Sequence, residues 1–215
     1  MPVVIDITLK IGKMHLEFLL EEVTAEKVLD NLLPLIITGE HTYRCIKFQG
    51  KADLLKNLAA ELRGYSKWIP ADFKIIVLLD RDKDNCTDLK TKLNQIAEHS
   101  GLVTKSNPNH NKFQVLNRIA IEEIEAWFLG DADAMRIAYP RLTANFEKKV
   151  AYRNPDEIAE TWETMERILQ RSGYFKTGLR KLEAAYEISK QMQPLRNRSK
   201  SFQVFWQGIT ACIQN

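Results

Sequence analysis

The sequence lacks a long apolar run. It spans 215 residues, and no stretch approaches the roughly 20 consecutive apolar residues that a membrane-spanning helix requires. Its apolar N-terminal stretch contains Asp6 and does not have the pattern of a signal peptide. We therefore expect a cytoplasmic protein that has no membrane partner.

The sequence is also poor in residues that build zinc sites, disulfide frameworks or thiol nucleophiles. The cysteines Cys45, Cys86 and Cys212 and the four histidines stand at no metal-ligand spacing. An odd, small number of cysteines fits a reducing compartment. No G-x-x-x-x-G-K-[ST] motif is present, so we expect no ATPase activity of its own.

The composition is otherwise that of an ordinary globular protein, with 45% apolar and 27% charged residues. The formal net charge is +3, but the positive charge is concentrated. Residues 171–200 contain eight basic and two acidic side chains, so the rest of the chain is net negative. Such a division suits a chain that holds a polyanion with one part and a cation with another.

Apolar periodicity predicts strands and helices in alternation. Residues 3–11 and 15–20 alternate like strands around a turn at Gly12-Lys13, and we expect them to form a hairpin. Further strands are predicted over 43–48, 74–79 and 113–120, and helices over 25–33, 52–63, 87–99 and 122–129. This order predicts an α/β fold with a mostly parallel sheet flanked by helices. We assign residues 1–135 to this core and residues 136–215 to a helical extension packed on it, with helices over 156–171 and 176–193.

Acidic residues follow two of the predicted strands. Asp80 and Asp82 come directly after an apolar run, and Glu21 follows the strand over 15–20. The carboxyl ends of parallel strands meet at one rim, so these carboxylates can share a Mg²⁺ or Mn²⁺ ion. Glu122 and Glu125, three residues apart on a predicted helix, could complete a second metal position. The alternatives for these groups are a solvated loop, helix-start acids that the macrodipole favours, and a solvated acidic helix face.

These acidic segments resemble Toprim domains, and more closely the Toprim-like proteins related to OLD (overcoming lysogenization defect) nucleases of bacterial defence. The resemblance lies in Leu-Leu-Glu-Glu-Val-Thr-Ala-Glu at 19–26, Ile-Ile-Val-Leu-Leu-Asp-Arg-Asp at 75–82 and Ile-Glu-Glu-Ile-Glu-Ala-Trp-Phe at 121–128. It implies a metal-dependent nuclease that hydrolyses DNA and works with a separate ATPase. The resemblance implies that the catalytic and metal-binding acids are Glu21, Asp80 and Asp82. It also implies additional metal ligands at Glu122 and Glu125, and a cation at Lys176 that stabilises charge during catalysis.

One departure from the family supports a rival hypothesis. Toprim loops commonly have glycine after the first glutamate, whereas this chain has Glu22, which restricts the backbone where phosphate would approach. A non-catalytic Toprim-fold subunit that binds nucleic acid or an ATPase is therefore the alternative. A phosphotransfer enzyme of the haloacid-dehalogenase type is a further one, although that class carries its nucleophilic aspartate on the first strand.

Overall fold

A four-stranded parallel sheet forms the centre of the molecule. The computed structural model describes residues 12–214. Its strands pair in the order β2-β1-β3-β4, and every pairing is parallel. They are β1 (His15–Leu20), β2 (Thr42–Lys47), β3 (Phe73–Asp80) and β4 (Val115–Ala120). The predicted α/β class, with a mostly parallel sheet flanked by helices, is confirmed.

β3 shows why the sheet lies between two helical layers. Its apolar run is buried on both faces because successive side chains point to opposite sides of a strand. Ile75, Val77 and Leu79 belong to one cluster of buried side chains, and Ile76 and Leu78 belong to the other. Asp80 ends this strand on the same face as Leu78 by the two-residue period.

Three helices connect the strands. They are α1 (Val23–Leu32), α2 (Lys51–Ser66) and α3 (Cys86–His99). α2 and α3 cover the face that includes Leu79, through apolar side chains at helical spacing such as Leu54, Leu58 and Leu62. α1 packs on the opposite face. Each predicted helix in this part of the chain is present, within a few residues at its ends.

The remaining helices extend the layer that contains α1. They are α4 (Glu125–Gly130), α5 (Ala132–Ala138), α6 (Thr161–Arg171), α7 (Lys181–Ser189) and α8 (Lys200–Ile213). A single cluster of buried side chains runs from β1 and α1 through α7 and α8. Both sides of the predicted boundary at residue 135 therefore contribute to one core. The sequence patterns predicted α6 and α7 but neither α5 nor α8.

Trp127 lies at the centre of this larger core. It is completely buried, and its ring centroid lies 5.2 Å from that of Phe202 and 5.0 Å from that of Phe205. Its Nε1 donates a hydrogen bond of 3.0 Å to Ser201 Oγ, so its polar atom is satisfied. These contacts fix α4, and with it Glu125, against the N-terminal turn of α8.

β1 is an interior strand. It pairs with β2 on one side and with β3 on the other. Both of its edges are therefore occupied within the described residues. The predicted strand over residues 3–11 lies outside the described residues.

The helices are short relative to a bilayer. Among the described residues, none combines the length and the apolarity that a membrane-spanning helix needs. The longest helix, α2, has 16 residues and carries charged side chains along its length.

Candidate functional site

The sheet has a topological switch point between β1 and β3. The chain leaves β1 through α1 toward β2, and it leaves β3 through α3 toward β4 on the opposite side. Because α1 and α3 cover opposite faces, a crevice opens at the carboxyl ends of these two strands. Ligands of open α/β sheets bind in such crevices.

Glu21 and Asp80 lie at this switch point. Leu20 pairs in register with Leu78, so the residues that follow them are neighbours across the rim. The Asp80 N–H donates a hydrogen bond of 2.9 Å to Glu21 Oε2. The structure therefore brings together the two carboxylates that the sequence predicted to share one rim.

Glu125 joins them from the first turn of α4. Its side chain is completely buried, and within residues 12–214 neither carboxylate oxygen has a hydrogen bond of good geometry. Lys181, the first residue of α7, places its Nζ 3.3 Å from Glu125 Oε1 and 3.3 Å from Glu22 Oε1. A buried carboxylate requires such a partner because transfer from water penalises its charge strongly. We refer to Glu21, Glu22, Asp80 and Glu125 together with Lys181 as the acidic cluster.

The pKa values of the cluster record both burial and mutual repulsion. Burial, followed by the charges of Glu125 and Glu21, raises the pKa of Asp80 well above its ordinary value. Burial raises the pKa of Glu125 to about 7, although Lys181 acts in the opposite direction. Burial also raises the pKa of Glu21, while its hydrogen bond from the Asp80 N–H opposes the rise. One ammonium group thus does not balance the carboxylates around it.

Asp82 lies at the solvent side of the cluster. It has a left-handed backbone with φ of 51° and its side chain is 47% exposed. Lys51 at the start of α2 reaches it, with Nζ 3.1 Å from Asp82 Oδ2, 2.7 Å from Asp84 Oδ2 and 2.8 Å from the carbonyl oxygen of Arg81. The charge of Asp82 contributes to the raised pKa of Glu21, which indicates that these two carboxylates are near each other.

The predicted helical pairing of Glu122 with Glu125 is wrong. α4 begins at Glu125, and Glu122 precedes it with a left-handed φ of 59°. The Glu122 side chain forms an ion pair with Arg81, and its carbonyl oxygen accepts a hydrogen bond of 2.8 Å from the Asp82 N–H. Glu122 therefore fixes the loop after β3, whereas Glu125 alone enters the acidic cluster.

Glu123, in the same loop, positions the helix that follows. Its Oε2 accepts hydrogen bonds of 2.8 Å from Thr161 Oγ1 and 2.9 Å from the Trp162 N–H. It thereby satisfies one of the free N–H groups in the first turn of α6. The three glutamates of residues 122–125 thus have three different roles.

The cation that reaches the cluster is Lys181 and not Lys176. Lys176 is exposed in the loop before α7, where it lines a shallow cavity with Tyr139 and Glu183. Burial lowers the pKa of Lys181, but Glu125 and Glu22 outweigh it and raise the pKa above its ordinary value. A helical signal for Lys181 exists in the sequence, since Ala184, Ala185 and Ile188 follow it at the spacing of one buried face.

The oxygen atoms of the cluster suit a hard divalent cation. Mg²⁺ and Mn²⁺ prefer carboxylates and usually complete their coordination with water or phosphate oxygens. Among residues 12–214, no group of three or more acidic, histidine or cysteine side chains is arranged to hold an ion as it stands. The buried Glu125 oxygens without hydrogen bonds, together with the raised pKa of Asp80, nevertheless identify a place where added positive charge would be stabilised. In this chemical sense the residues fit the predicted metal.

Comparison with known proteins gives one family. A family model described as "Domain of unknown function (DUF4276)" matches residues 17–210, which include all of the acidic cluster. No curated protein and no solved structure matches the chain. Since the match extends over most of the sequence, the chain belongs to the DUF4276 family.

Proposed function

We propose that this protein is a divalent-metal-dependent nuclease that hydrolyses DNA phosphodiesters at the acidic cluster. The observation that carries the proposal is the convergence of Glu21, Asp80 and Glu125, from three separate segments, on the switch point of the sheet. Holding three carboxylates close together, with Glu125 completely buried, is costly unless a cation compensates them. Their position is also where α/β folds bind substrates.

Each side chain has a role in this proposal. Glu21, Asp80 and Glu125 would hold Mg²⁺ or Mn²⁺, and Asp82 would add a ligand from the solvent side. A bound divalent ion supplies Lewis-acid chemistry, because it polarises a phosphoryl oxygen and lowers the pKa of a water molecule. Lys181 would donate hydrogen bonds to the negative charge that develops on the phosphate oxygens. Lys51 would hold Asp82 and the Arg81 carbonyl in place.

The class of substrate and the partners rest on the resemblance to OLD-related Toprim proteins. DNA is the substrate that this resemblance implies, and the basic stretch over residues 171–200 is suited to its backbone. A separate ATPase subunit is the implied partner, and the implied setting is the cytoplasm of a cell that defends itself against phages or mobile elements. Lys176, in the exposed loop, would then contact the nucleic-acid backbone at a distance from the chemistry.

The test compares two aspartates at opposite ends of one strand. Asp80→Asn removes a charge from the cluster, whereas Asp72→Asn removes one from the exposed segment before β3. The purified chain is incubated with supercoiled plasmid and with single-stranded DNA in Mn²⁺, in Mg²⁺ and in EDTA. We expect metal-dependent cleavage that Asp72→Asn retains and Asp80→Asn loses by 100-fold or more. Cleavage that survives in Asp80→Asn, or no cleavage and no Mn²⁺ uptake by the unmodified chain, contradicts the proposal.

A non-catalytic subunit of the same fold is the second candidate. The contacts of Lys181 favour it, because an internal ammonium already compensates part of the charge of Glu22 and Glu125. Such a subunit would bind DNA or an ATPase without cutting. Calorimetry separates the two, since a purely structural cluster takes up no Mn²⁺ at neutral pH, whereas a metal site takes up a stoichiometric amount and releases protons.

A further inference from the structure

A second cavity opens at the edge of the sheet, beside the acidic cluster. It has a volume of about 250 Å³ and lies between α3, β4 and α8. On its other edge, within the described part of the chain, β4 has only an isolated bridge from Val115 to Thr104, and residues 117–119 of β4 line this cavity. The wall is mostly apolar, with contributions from Ile119, Ile121 and Val204, and three cationic residues also line it, Lys90, Arg118 and Lys200.

Two cationic side chains converge on one backbone oxygen of this edge. Lys90 reaches from α3 and donates through Nζ to the Asn117 carbonyl oxygen. Arg118 approaches from the opposite face, and its Nη1 donates to the same oxygen at 3.1 Å. Its Nε donates to the Val204 carbonyl oxygen at 3.1 Å, which holds the guanidinium group against α8. The two positive charges therefore lie close together.

Neither cation forms an ion pair among residues 12–214. The carboxylate of Asp156 also lines the cavity. Asp156 accepts hydrogen bonds from Ser199 Oγ at 2.7 Å and from the Ser201 N–H at 2.9 Å. Burial, and then the charge of Arg118, lower the pKa of Lys90 to about 8. A neutral carbonyl carries only a partial charge and Asp156 carries a single negative one, so Lys90 and Arg118 keep an excess of positive charge that a further anion would balance.

The first residues of two helices also line the cavity, Cys86 of α3 and Lys200 of α8. The positive end of the α3 dipole reinforces the positive potential, whereas at α8 the Asp156 carboxylate already accepts from the Ser201 N–H. Lys200 is exposed at the entrance and adds a third cation. A phosphate group matches the sign, the hydrogen-bonding capacity and the partial exposure of such a cavity.

The cavity also lies next to the acidic cluster. Ala120 pairs in register with Asp80, and the neighbouring residues Ile119 and Ile121 line the cavity. Adjacent strands are separated by about 5 Å, and a nucleic-acid strand advances about 3.4 Å per nucleotide along a duplex axis. One strand of substrate can therefore reach both places within a few nucleotides.

We propose that the cavity formed by Lys90, Arg118 and Lys200 binds a backbone phosphate of the nucleic-acid substrate next to the one that is cleaved. This proposal rests on the proposed nuclease function for the identity of the ligand. The cations would fix the register of the strand, so that the next phosphodiester lies at the acidic cluster. They would contribute to substrate binding and not to the chemical step.

Cys86 provides a reporter for this site. It is partly exposed in the cavity wall, whereas burial raises the pKa of Cys45 and of Cys212 to about 12, which makes both thiols unreactive. The rate of Cys86 alkylation by iodoacetamide is measured by mass spectrometry during titration with inorganic phosphate and with a single-stranded oligonucleotide. Sodium chloride at the same ionic strength controls for screening. We expect saturable protection by both phosphate compounds and none by chloride.

Lys90→Gln and its control on the same helix determine whether the cavity cations are responsible. Lys92 is exposed on α3 and does not line the cavity. Lys90→Gln should raise the half-protecting concentration about 10-fold or more, the loss expected for one charged hydrogen bond, and Lys92→Gln should leave it unchanged. Lys200→Gln, at an exposed position, repeats the test without burial effects. Equal protection in all variants, or protection by chloride alone, overturns the proposal.

The outcomes also separate this proposal from the nuclease function. With DNA as substrate, Lys90→Gln should raise KM while kcat stays nearly constant, because uniform binding is lost. If DNA is cleaved but Cys86 is never protected, the cavity proposal fails and the nuclease function stands. If phosphate protects Cys86 but the oligonucleotide does not, the site binds a small phosphate compound and its role as a substrate subsite is refuted. If both protect but no variant or metal gives cleavage, the nuclease function fails while the phosphate site remains.

Discussion

Replacing Glu125 with glutamine should make the protein less sensitive to rising pH. In the folded protein, burial raises the pKa of Glu125 from an ordinary value of 4.5 to about 7. A carboxyl group with a raised folded-state pKa binds more protons folded than unfolded, so stability falls as pH rises between the two values. Between pH 5 and pH 8 this group alone costs roughly 2.5 kcal/mol of unfolding free energy. Glu125→Gln removes the ionisation and therefore this part of the loss.

The assay is urea denaturation at pH 5 and pH 8, followed by tryptophan fluorescence in EDTA. EDTA excludes divalent ions, which would stabilise the charged cluster and mask the effect. Glu61→Gln, an exposed substitution on α2, is the matched control and should keep the pH dependence of the unmodified chain. Glu125 also contributes to the raised pKa of Asp80, so its removal should lower the cost of ionising Asp80 as well. An unchanged difference between pH 5 and pH 8 in Glu125→Gln would refute the reasoning.

Three further substitutions test other parts of the structure. Lys181→Gln removes the ammonium that competes with a metal ion for the carboxylates, so calorimetry should show tighter Mn²⁺ binding while DNA cleavage falls. Weaker Mn²⁺ binding would contradict this competition. Asp131→Asn disrupts a buried carboxylate that accepts from Arg196 Nε at 2.7 Å and from the Ala134 N–H at 3.1 Å, and should cost about 3–5 kcal/mol in urea denaturation. Gly130→Ala would place a Cβ 2.2 Å from Asn197 Oδ1 and 2.9 Å from the backbone nitrogen of Ser199, and the overpacking should cost about 1–3 kcal/mol in thermal denaturation. A loss below 0.5 kcal/mol would contradict a stabilising role for the hydrogen bonds of Asp131 in the first stability test, and tight packing around Gly130 in the second.

The sequence predicted the sheet because its strands carry strong local signals. The apolar run of β3 and the helical spacing of Leu54, Leu58 and Leu62 in α2 are both short-range patterns, and both elements appear where they were predicted. The rim shared by Glu21 and Asp80 followed from the parallel order alone. Topology sufficed here, because residues at the carboxyl ends of neighbouring parallel strands must be close.

The contacts that cross the chain could not be predicted in the same way. Lys181 reaches Glu22 and Glu125 only because α7 packs against α1 and α4, and no local pattern specifies that packing. Lys176 was selected through family resemblance, which does not determine the exact place of a residue in a loop. The predicted pairing of Glu122 with Glu125 assumed that one helix contains both residues. Glu122 instead has a left-handed backbone in the loop that precedes α4, and α4 begins at Glu125.

The two charged regions at the carboxyl rim are complementary in what they require. Around Asp80, several carboxylates share one ammonium group, and burial, followed for Asp80 by repulsion between the acids, raises the pKa values of Asp80 and Glu125. Around Asn117, two cations share one carbonyl oxygen, and burial, followed by the charge of Arg118, lowers the pKa of Lys90. In the proposed function, a divalent cation would supply the missing positive charge to the acids, and a phosphate of the bound strand would supply the missing negative charge to Lys90 and Arg118. Neither deficit is relieved by a neutral ligand, so we expect a neutral small molecule to leave both the Mn²⁺ affinity and the alkylation rate of Cys86 unchanged.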